Sequence, residues 1–174
     1  GRMARSSPGR YAAHDFAKNV YSVRATDADG RPLAVERLRP NVWRVSGHRG
    51  TVRFAYTLFA DRADGTYAGI DRTRAHLNIP ATFAYAPALA DRPIYATFVA
   101  ADSAWHVATQ LEPTTDPQTF RAPHLQYFMD SPTYLGRLDL REWQVGPANA
   151  RQTVRLALNH LGSTEDAARF ADLT

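Results

Sequence analysis

A period of two residues runs through Thr51-Val52-Arg53-Phe54-Ala55-Tyr56-Thr57-Leu58-Phe59. The large apolar side chains from Val52 to Leu58 stand at every second position, and threonine, arginine and alanine fill the positions between them. Successive side chains of a strand point to opposite faces, so this stretch predicts a half-buried β-strand. A sheet is therefore the element around which the rest of the chain must be organised.

Similar short runs occur along the rest of the chain and predict further strands, separated by turn dipeptides such as Asp29-Gly30. The runs are 21–25 with Tyr21, Val23 and Ala25 on one face, 42–45, 105–111 with Trp105, Val107, Thr109 and Leu111 on one face, and 154–158. In residues 138–145 the apolar positions change phase between Leu140 and Trp143. That change predicts a β-bulge near Arg141-Glu142.

Helix signals are scarce, and the best one lies near the C-terminal end of the sequence. Ser163-Thr164-Glu165-Asp166 has the spacing of a capping box, with aspartate in place of the usual glutamate. Ala167, Phe170 and Leu173 would follow on one helix face. We therefore predict an all-β fold of about eight to ten short strands, in twisted antiparallel, β-sandwich-like sheets, with one short C-terminal helix.

The composition is that of an ordinary globular protein, and it narrows the functional classes. The 174 residues carry a net charge of +4, and Lys18 is the only lysine among the 21 basic residues. The arginines are scattered and often stand beside an aspartate, so no basic patch indicates a nucleic-acid partner. No apolar run approaches the ~20 residues of a membrane span, so we expect no membrane partner. The absence of cysteine excludes disulfides and thiolate metal sites.

No catalytic motif is visible in the sequence. The six histidines lie far apart and no glutamate follows one of them, so the H-E-x-x-H zinc motif is absent. The G-x-S-x-G serine motif and the glycine-rich phosphate loop are absent as well. Ser131 precedes Pro132 and fits a structural corner better than a nucleophile. The sequence therefore predicts no catalytic residue and no metal ligand.

Two regions, residues 64–83 and 123–136, are chemically richer than a scaffold needs. Both mix aromatic side chains, prolines and single polar groups without periodicity. Loops of that composition often line binding sites or seal interfaces between domains. The alternative is that their aromatic residues only cover the end of a sandwich core. Those residues are Tyr67, Tyr127, Phe128 and Tyr134.

Four blocks of sequence, in a fixed order, resemble a known family. The blocks are residues 8–20 (Pro8-Gly9-Arg10-Tyr11, then His14-Asp15-Phe16-Ala17-Lys18-Asn19-Val20), 64–67 with 75–83, 105–111 and 125–133. Together they resemble the N-terminal domain of the glycyl aminopeptidase family of zinc metallopeptidases, family sixty-one, in the thermolysin-like clan. The resemblance covers roughly residues 2–145.

The resemblance implies a multi-domain bacterial enzyme, periplasmic or cytoplasmic, of which this chain is a fragment truncated at both ends. Residues 1–146 would form a non-catalytic N-terminal β-domain that lacks its first strands. Residues 147–174 would be the opening strand and helix of the catalytic domain. Zinc and its H-E-x-x-H motif are expected in the rest of that catalytic domain, so no cofactor is expected in this chain. The implied partners are the catalytic domain and a peptide substrate with a small N-terminal residue, and the chain alone should be inactive.

The resemblance also suggests side chains that approach the substrate. In related aminopeptidases the β-domain lends a polar group that holds the free amine of the substrate. Family members often carry an acidic residue at the position of Tyr134, and a phenol suits a cationic amine less well than a carboxylate or an amide. Asp130 and Gln126 are therefore alternatives, and the loop around Tyr67 is a further candidate. The residues alone leave this choice open.

A function of another class fits the same residues. The chain could be a stand-alone β-sandwich module that binds carbohydrate or a protein partner. Tyr67, Tyr127 and Tyr134 would then form an exposed aromatic platform. An H-E-x-x-H motif within the following couple of hundred codons of the gene would favour the peptidase, and a stop codon after Thr174 would favour the module.

Overall fold

The computed structural model of the chain describes residues 1–9, 11–62 and 64–173. Its strands are β1 (Arg2–Met3), β2 (Val20–Thr26), β3 (Ala34–Arg39), β4 (Val42–Ser46), β5 (Arg53–Leu58), β6 (Gly69–Ile70), β7 (Arg74–Leu77), β8 (Ala84–Tyr85), β9 (Ile94–Thr97), β10 (His106–Ala108), β11 (Glu112–Pro113), β12 (Thr119–Ala122), β13 (Thr133–Gly136), β14 (Asp139–Val145) and β15 (Gln152–Leu158). Its helices are α1 (Ile79–Thr82), α2 (Leu125–Met129) and α3 (Thr164–Asp172), with single 3-10 turns at Phe16–Asn19 and Pro87–Leu89. Arg10, which belongs to the first sequence block, lies outside the described residues.

Antiparallel sheets make up most of the described structure, which confirms the predicted all-β class. The strand orders are β3-β4-β1-β8, β10-β13-β7-β6, β11-β12-β9, β14-β15 and β2-β5. The strands outnumber the expected eight to ten because several contain only two residues. One of these, β11, ends at Pro113, where the missing N–H cannot continue a ladder.

The alternating stretch that predicted a sheet forms β5, and its apolar face packs on the core as expected. Phe54, Tyr56 and Leu58 are partly buried, whereas Thr57 is exposed. The Tyr56 hydroxyl donates to the Thr82 carbonyl over 2.7 Å and accepts from the Ala84 N–H over 2.9 Å. One phenol therefore fixes β5 to α1 and β8.

The predicted common face of Tyr21, Val23 and Ala25 is wrong, because β2 contains a bulge. The β2–β5 register shifts between Tyr21 and Arg24, and Ser22 between them has φ +51°. The extra residue turns Tyr21 outward, where it is 55% exposed, and Val20 inward, where it is 6% exposed. A bulge changes which side chains face the core on either side of it.

The predicted bulge near Arg141-Glu142 is also wrong. β14 pairs with β15 in continuous register from Asp139 to Val145. The partly buried positions of β14 are Asp139, Arg141 and Trp143, and Leu140 is 50% exposed. The phase change in the sequence arises because an ion pair, Asp139–Arg141 at 2.9 Å, occupies two positions of the partly buried face.

The C-terminal helix begins where the capping box predicted. Ser163 Oγ accepts from the Asp166 N–H over 3.1 Å, and Asp166 Oδ2 accepts from the Ser163 N–H over 3.1 Å. Of the expected face only Ala167 is buried, and Leu173 is 88% exposed. The sequence did not predict α1 and α2, since each is a single turn and too short to show a helical period.

Two clusters of buried side chains form the core of the described residues. The N-terminal core cluster contains Met3, Phe16, Ala17, Val20, Trp43, Tyr67 and Ala81. The central core cluster contains Ala68, Ala75, Leu77, Ile79, Ala96, Phe98, Leu111, Ala122, Phe128 and Leu135. Leu58 of β5 packs against both, so the two clusters are continuous across this strand.

In residues 1–9, 11–62 and 64–173, none of the helices is long and apolar enough to cross a membrane.

Candidate functional site

The short helix α2 lies at the centre of the region where the last two sequence blocks meet. His124 precedes it, and the His124 Nδ1 accepts from the Tyr127 N–H over 3.2 Å. The Leu125 N–H donates to the Ala90 carbonyl over 2.8 Å. Phe128 is buried and its ring lies 5.3 Å from that of Phe83 in the core. These contacts fix α2 although it is one turn long.

Asp130 follows α2 directly and presents an exposed carboxylate. Its N–H donates to the Gln126 and Tyr127 carbonyls over 3.1 and 3.2 Å. Its carbonyl accepts from Gln110 Nε2 over 2.7 Å. Within the described part of the chain the carboxylate itself has no hydrogen-bond or ion-pair partner. The backbone of Asp130 is thus fixed while its charge remains available to a ligand.

A closed set of hydrogen bonds joins the third and fourth sequence blocks beneath Asp130. Gln110 Nε2 also donates to Ser131 Oγ over 3.0 Å, and Ser131 Oγ donates to the Tyr127 carbonyl over 2.6 Å. The Tyr127 hydroxyl donates to the Gln110 carbonyl over 3.1 Å and closes the set. Ser131 is 0% exposed, so its hydroxyl is a structural link, as the following proline had suggested.

Gln126 lines a pocket to which Asp130 does not contribute. Its side chain lines a pocket of about 390 Å³ between α2 and the first sequence block, and Asp130 does not line it. Ser6, Pro8, Asp91 and His124 also line this pocket. Gln126 lies in α2 and Asp130 directly follows this helix, yet only Gln126 lines the pocket.

Tyr134 lies on the outer face of the sheet β10-β13-β7-β6. It pairs with His76 on one side and Ala108 on the other, and the His76 ring lies 6.3 Å away. A Cβ added to Gly136 would lie 3.2 Å from the Tyr134 ring. Because glycine has no side chain, it leaves room for the phenol ring of Tyr134. That ring is half-buried and does not project into solvent.

Tyr67 belongs to the N-terminal core cluster and is only 8% exposed. Phe16 meets its ring edge-on at 5.2 Å, and the cations of Arg62 and Lys18 lie 4.6 and 5.6 Å from it. An exposed platform of Tyr67, Tyr127 and Tyr134 is therefore wrong. The first block supplies Phe16 and buries this tyrosine, a contact across about fifty residues that composition could not indicate.

Several aspartate carboxylates elsewhere hold turns, unlike the carboxylate of Asp130. Asp64 accepts from the Thr66 and Tyr67 N–H groups, both over 3.0 Å. The Tyr67 N–H is the main reason that the pKa of Asp64 lies below its usual range. Asp71 likewise accepts from Thr73, whose hydroxyl is the main cause of a lowered pKa.

Two side chains with clear structural roles were not singled out from sequence. Gln110 supports Asp130, and Asn78 donates to Ser7 Oγ over 2.8 Å and to the Thr66 carbonyl. The signal for Gln110 was its polar position at the end of the alternating run 105–111. Asn78 is a buried polar residue, and a sequence does not show burial outside a periodic element.

Among the described residues, no three His, Asp or Glu side chains lie close enough together to hold a metal ion. The donor set for zinc is therefore not found in this part of the chain. No step of a zinc reaction can be derived from its geometry.

A solved structure shares this fold. A crystal structure described as an aminopeptidase N family protein from Idiomarina loihiensis matches 99% of this chain with a TM-score of 0.79 and 23% identity. This chain spans 30% of the length of that protein. A comparison with curated proteins found no match. The chain has the all-β fold of an aminopeptidase N-terminal domain.

The family is shown by a second comparison. The family model for the peptidase M61 N-terminal domain matches residues 2–137, a range that contains all four sequence blocks. The chain belongs to the peptidase M61 N-terminal domain family, as its blocks had predicted. The β14–β15 hairpin and α3 lie beyond the match. A domain boundary after residue 146 remains a prediction, and it would fall between the two strands of that hairpin.

Proposed function

We propose that this chain is the non-catalytic N-terminal β-domain of a zinc-dependent glycyl aminopeptidase. It packs on the catalytic domain and shapes the cleft that receives the N-terminus of a peptide. The zinc and the residues that activate water belong to the catalytic domain. The family assignment supports this role, and so does the 30% share of its structural neighbour that the chain spans.

Exposed apolar side chains support the packing contact. Leu161 and Leu173, on either side of α3, are 107% and 88% exposed. Tyr95 in β9 and Val99 after it are 66% and 76% exposed. Large apolar side chains at the surface are candidates for contact with another domain, since burying each one stabilises the contact by about 1.5–3 kcal/mol.

The observation that carries the cleft-shaping role is the unpaired carboxylate of Asp130 on its fixed backbone. A substrate with a free N-terminus presents an ammonium group, which a carboxylate binds through charge-assisted hydrogen bonds. Gln126 offers only a neutral amide, and Tyr134 offers a half-buried phenol. Tyr67 is buried. Among the four candidates Asp130 therefore suits the amine best.

The test uses the intact peptidase, the gene product that carries this chain with its catalytic domain. Asp130→Asn keeps the size of the side chain and removes its charge. Hydrogen bonds to charged groups contribute about 1.5–3 kcal/mol, so kcat/KM for glycyl and alanyl p-nitroanilides should fall by about 10- to 150-fold. Steady-state kinetics with both substrates measures the change.

Asp91→Asn is the matched control. Asp91 is also exposed and unpaired among the described residues, but it lines the pocket beside Gln126 instead. We expect this variant to retain kcat/KM within about twofold. If Asp130→Asn retained full kcat/KM while remaining folded, Asp130 would not hold the amine. If Asp91→Asn caused the loss, the pocket at Gln126 would be the site.

The stand-alone binding module receives no support from a specific observation. Its aromatic platform required an exposed Tyr67, and Tyr67 is packed against Phe16.

A further inference from the structure

The outer face of the sheet β3-β4-β1-β8 carries two arginines that flank one residue. Val42 of β4 pairs with Arg39 of β3 on one side and with Arg2 of β1 on the other. Residues directly opposite each other in antiparallel strands point to the same face, so both arginines share the face of Val42. Their Cα atoms lie two strand spacings apart, about 10 Å. The neighbouring Met3 and Trp43 point to the other face and are buried in the N-terminal core cluster.

A third arginine, Arg5, lines the same cleft as Arg2 and Arg39. Arg2, Arg39 and Arg5 line a cleft of about 400 Å³, together with Asp15 and residues 40–42 of the β3–β4 turn and the start of β4. Nine other arginines of the described chain form ion pairs with aspartate or glutamate. They are Arg31, Arg44, Arg62, Arg74, Arg121, Arg137, Arg141, Arg155 and Arg169. No such ion pair forms for the three arginines of the cleft within the described residues.

The backbone that carries these side chains is fixed. The Met3 N–H donates to the Asn41 carbonyl over 2.9 Å, and Asn41 Nδ2 donates back to the Met3 carbonyl over 2.8 Å. Arg37 Nε donates to the Pro40 carbonyl over 3.0 Å, which holds the β3–β4 turn. The Arg5 carbonyl accepts from the His14 N–H over 2.6 Å. The cleft is therefore formed by tied segments rather than by a loose loop.

The charge of the cleft indicates what it binds. Three guanidinium groups and one carboxylate give it a net charge of about +2, and like charges at this spacing repel one another. A guanidinium binds the oxygens of a phosphate through two parallel hydrogen bonds. The volume of about 400 Å³ is large enough for a phosphate with a substituent. We propose that this cleft binds a dianionic phosphate group. The site is independent of the amine-binding role of Asp130.

The test is a titration of the ¹⁵N-labelled chain with inorganic phosphate, followed by two-dimensional NMR. Sodium chloride at the same ionic strength serves as the reference. The amide signals of Asn41 and Val42 should shift in a saturable way, with a dissociation constant of about 1 mM. Arg2→Gln combined with Arg39→Gln should weaken binding by about tenfold or more. Asp15→Asn should strengthen binding by about threefold, because it removes the one negative charge of the cleft.

The matched control removes the same charge elsewhere. Arg24→Gln combined with Arg53→Gln changes two exposed arginines of the β2–β5 sheet, and phosphate affinity should stay within about twofold. Equal losses in both double variants would reduce the effect to net charge and overturn the proposal. Shifts that chloride reproduces, or an Asp15→Asn variant that binds more weakly, would do the same. Tighter binding of succinate than of phosphate would show that the site selects carboxylates instead.

Discussion

Single buried polar residues hold distant segments of this domain together, and Asn78 is the clearest case. Its side chain is 7% exposed, and its amide donates to Ser7 Oγ and to the Thr66 carbonyl. One side chain therefore joins the two parts of the second sequence block to Ser7, which directly precedes the first block. A buried amide with its partners satisfied specifies one arrangement of the segments, since other arrangements leave polar atoms unpaired.

Asn78→Ala should lower the free energy of unfolding by about 1–3 kcal/mol, because the Thr66 carbonyl and the Ser7 hydroxyl lose their donor in a buried place. Urea unfolding followed by circular dichroism measures this. Asn149→Ala, in the exposed turn before β15, is the control and should change stability by less than about 0.5 kcal/mol. A loss at Asn78 no larger than that of the control would contradict the structural role.

At the residue scale, sequence can name candidates by their chemistry, but it does not show which of them are buried. Asp130 could be named as a candidate because a carboxylate suits an amine. Tyr67 could not be placed correctly, because its exposure depends on Phe16, which folds over it from another block. Gln110 was passed over because its role depends on the Asp130 carbonyl, a contact between two separate blocks.

At the scale of elements, periodicity predicted the strands and missed their irregularities. β5, with an unbroken pattern, formed as predicted. β2 looked regular and contains a bulge, whereas β14 looked bulged and is regular. A bulge is a property of two strands, because it depends on the register with the partner. In β14 the inner-face ion pair interrupted the apolar pattern although the backbone runs on unchanged.

The bulge in β2 makes Ser22 sensitive to β-branched side chains. Its φ of +51° lies in the left-handed region, which β-branched residues strongly disfavour. Ser22→Val should destabilise the protein by about 1–2 kcal/mol, although valine favours regular strands. Ser22→Gly should cause no comparable loss, because glycine adopts this backbone conformation readily.

Thermal or urea unfolding of these variants tests the bulge. Ser46→Val, at the end of β4, provides the matched control because Ser46 is exposed and has an ordinary backbone. It should be neutral within about 0.5 kcal/mol. If valine changed the free energy of unfolding equally at the two positions, a left-handed backbone conformation at Ser22 would be ruled out.

At the scale of the whole molecule, contacts between distant segments join the four sequence blocks. The first and second blocks share the N-terminal core cluster through Phe16 and Tyr67. The third and fourth share the hydrogen bonds around Ser131. The pocket between Pro8 and Gln126 joins the first block to the fourth. The resemblance to the family rests on these four blocks. Their order along the chain did not indicate which of them are in contact.

The turn-holding aspartates predict how the stability of the whole domain depends on pH. The pKa values of Asp64, Asp71, Asp102, Asp116 and Asp166 are lowered, mainly by hydrogen bonds that their carboxylates accept. A carboxyl group with a lower pKa in the folded state stabilises that state above its unfolded pKa of about 4. This stability is lost as the pH falls through the folded pKa values.

The urea midpoint should therefore be nearly constant from pH 7 to pH 5 and should drop between pH 5 and pH 3. Asp64→Asn combined with Asp71→Asn should reduce that drop, because an amide keeps acceptor capacity without a titrating charge. Asp91→Asn, whose side chain has no hydrogen-bond partner among the described residues, should leave the drop unchanged. If the urea midpoint of the double variant dropped by the same amount, the carboxylates of Asp64 and Asp71 would not contribute to the pH dependence.

The sequence by itself determined the class of fold, the C-terminal capping box, the family and the absence of familiar catalytic motifs. Each of these rests on local spacing or on ordered blocks, which are visible along the chain. Only the tertiary structure decided that Tyr67 is buried, that Gln126 lines a pocket that Asp130 does not line, and that Arg2 and Arg39 flank Val42. Those facts depend on strand register and on contacts between distant segments, and packing sets both.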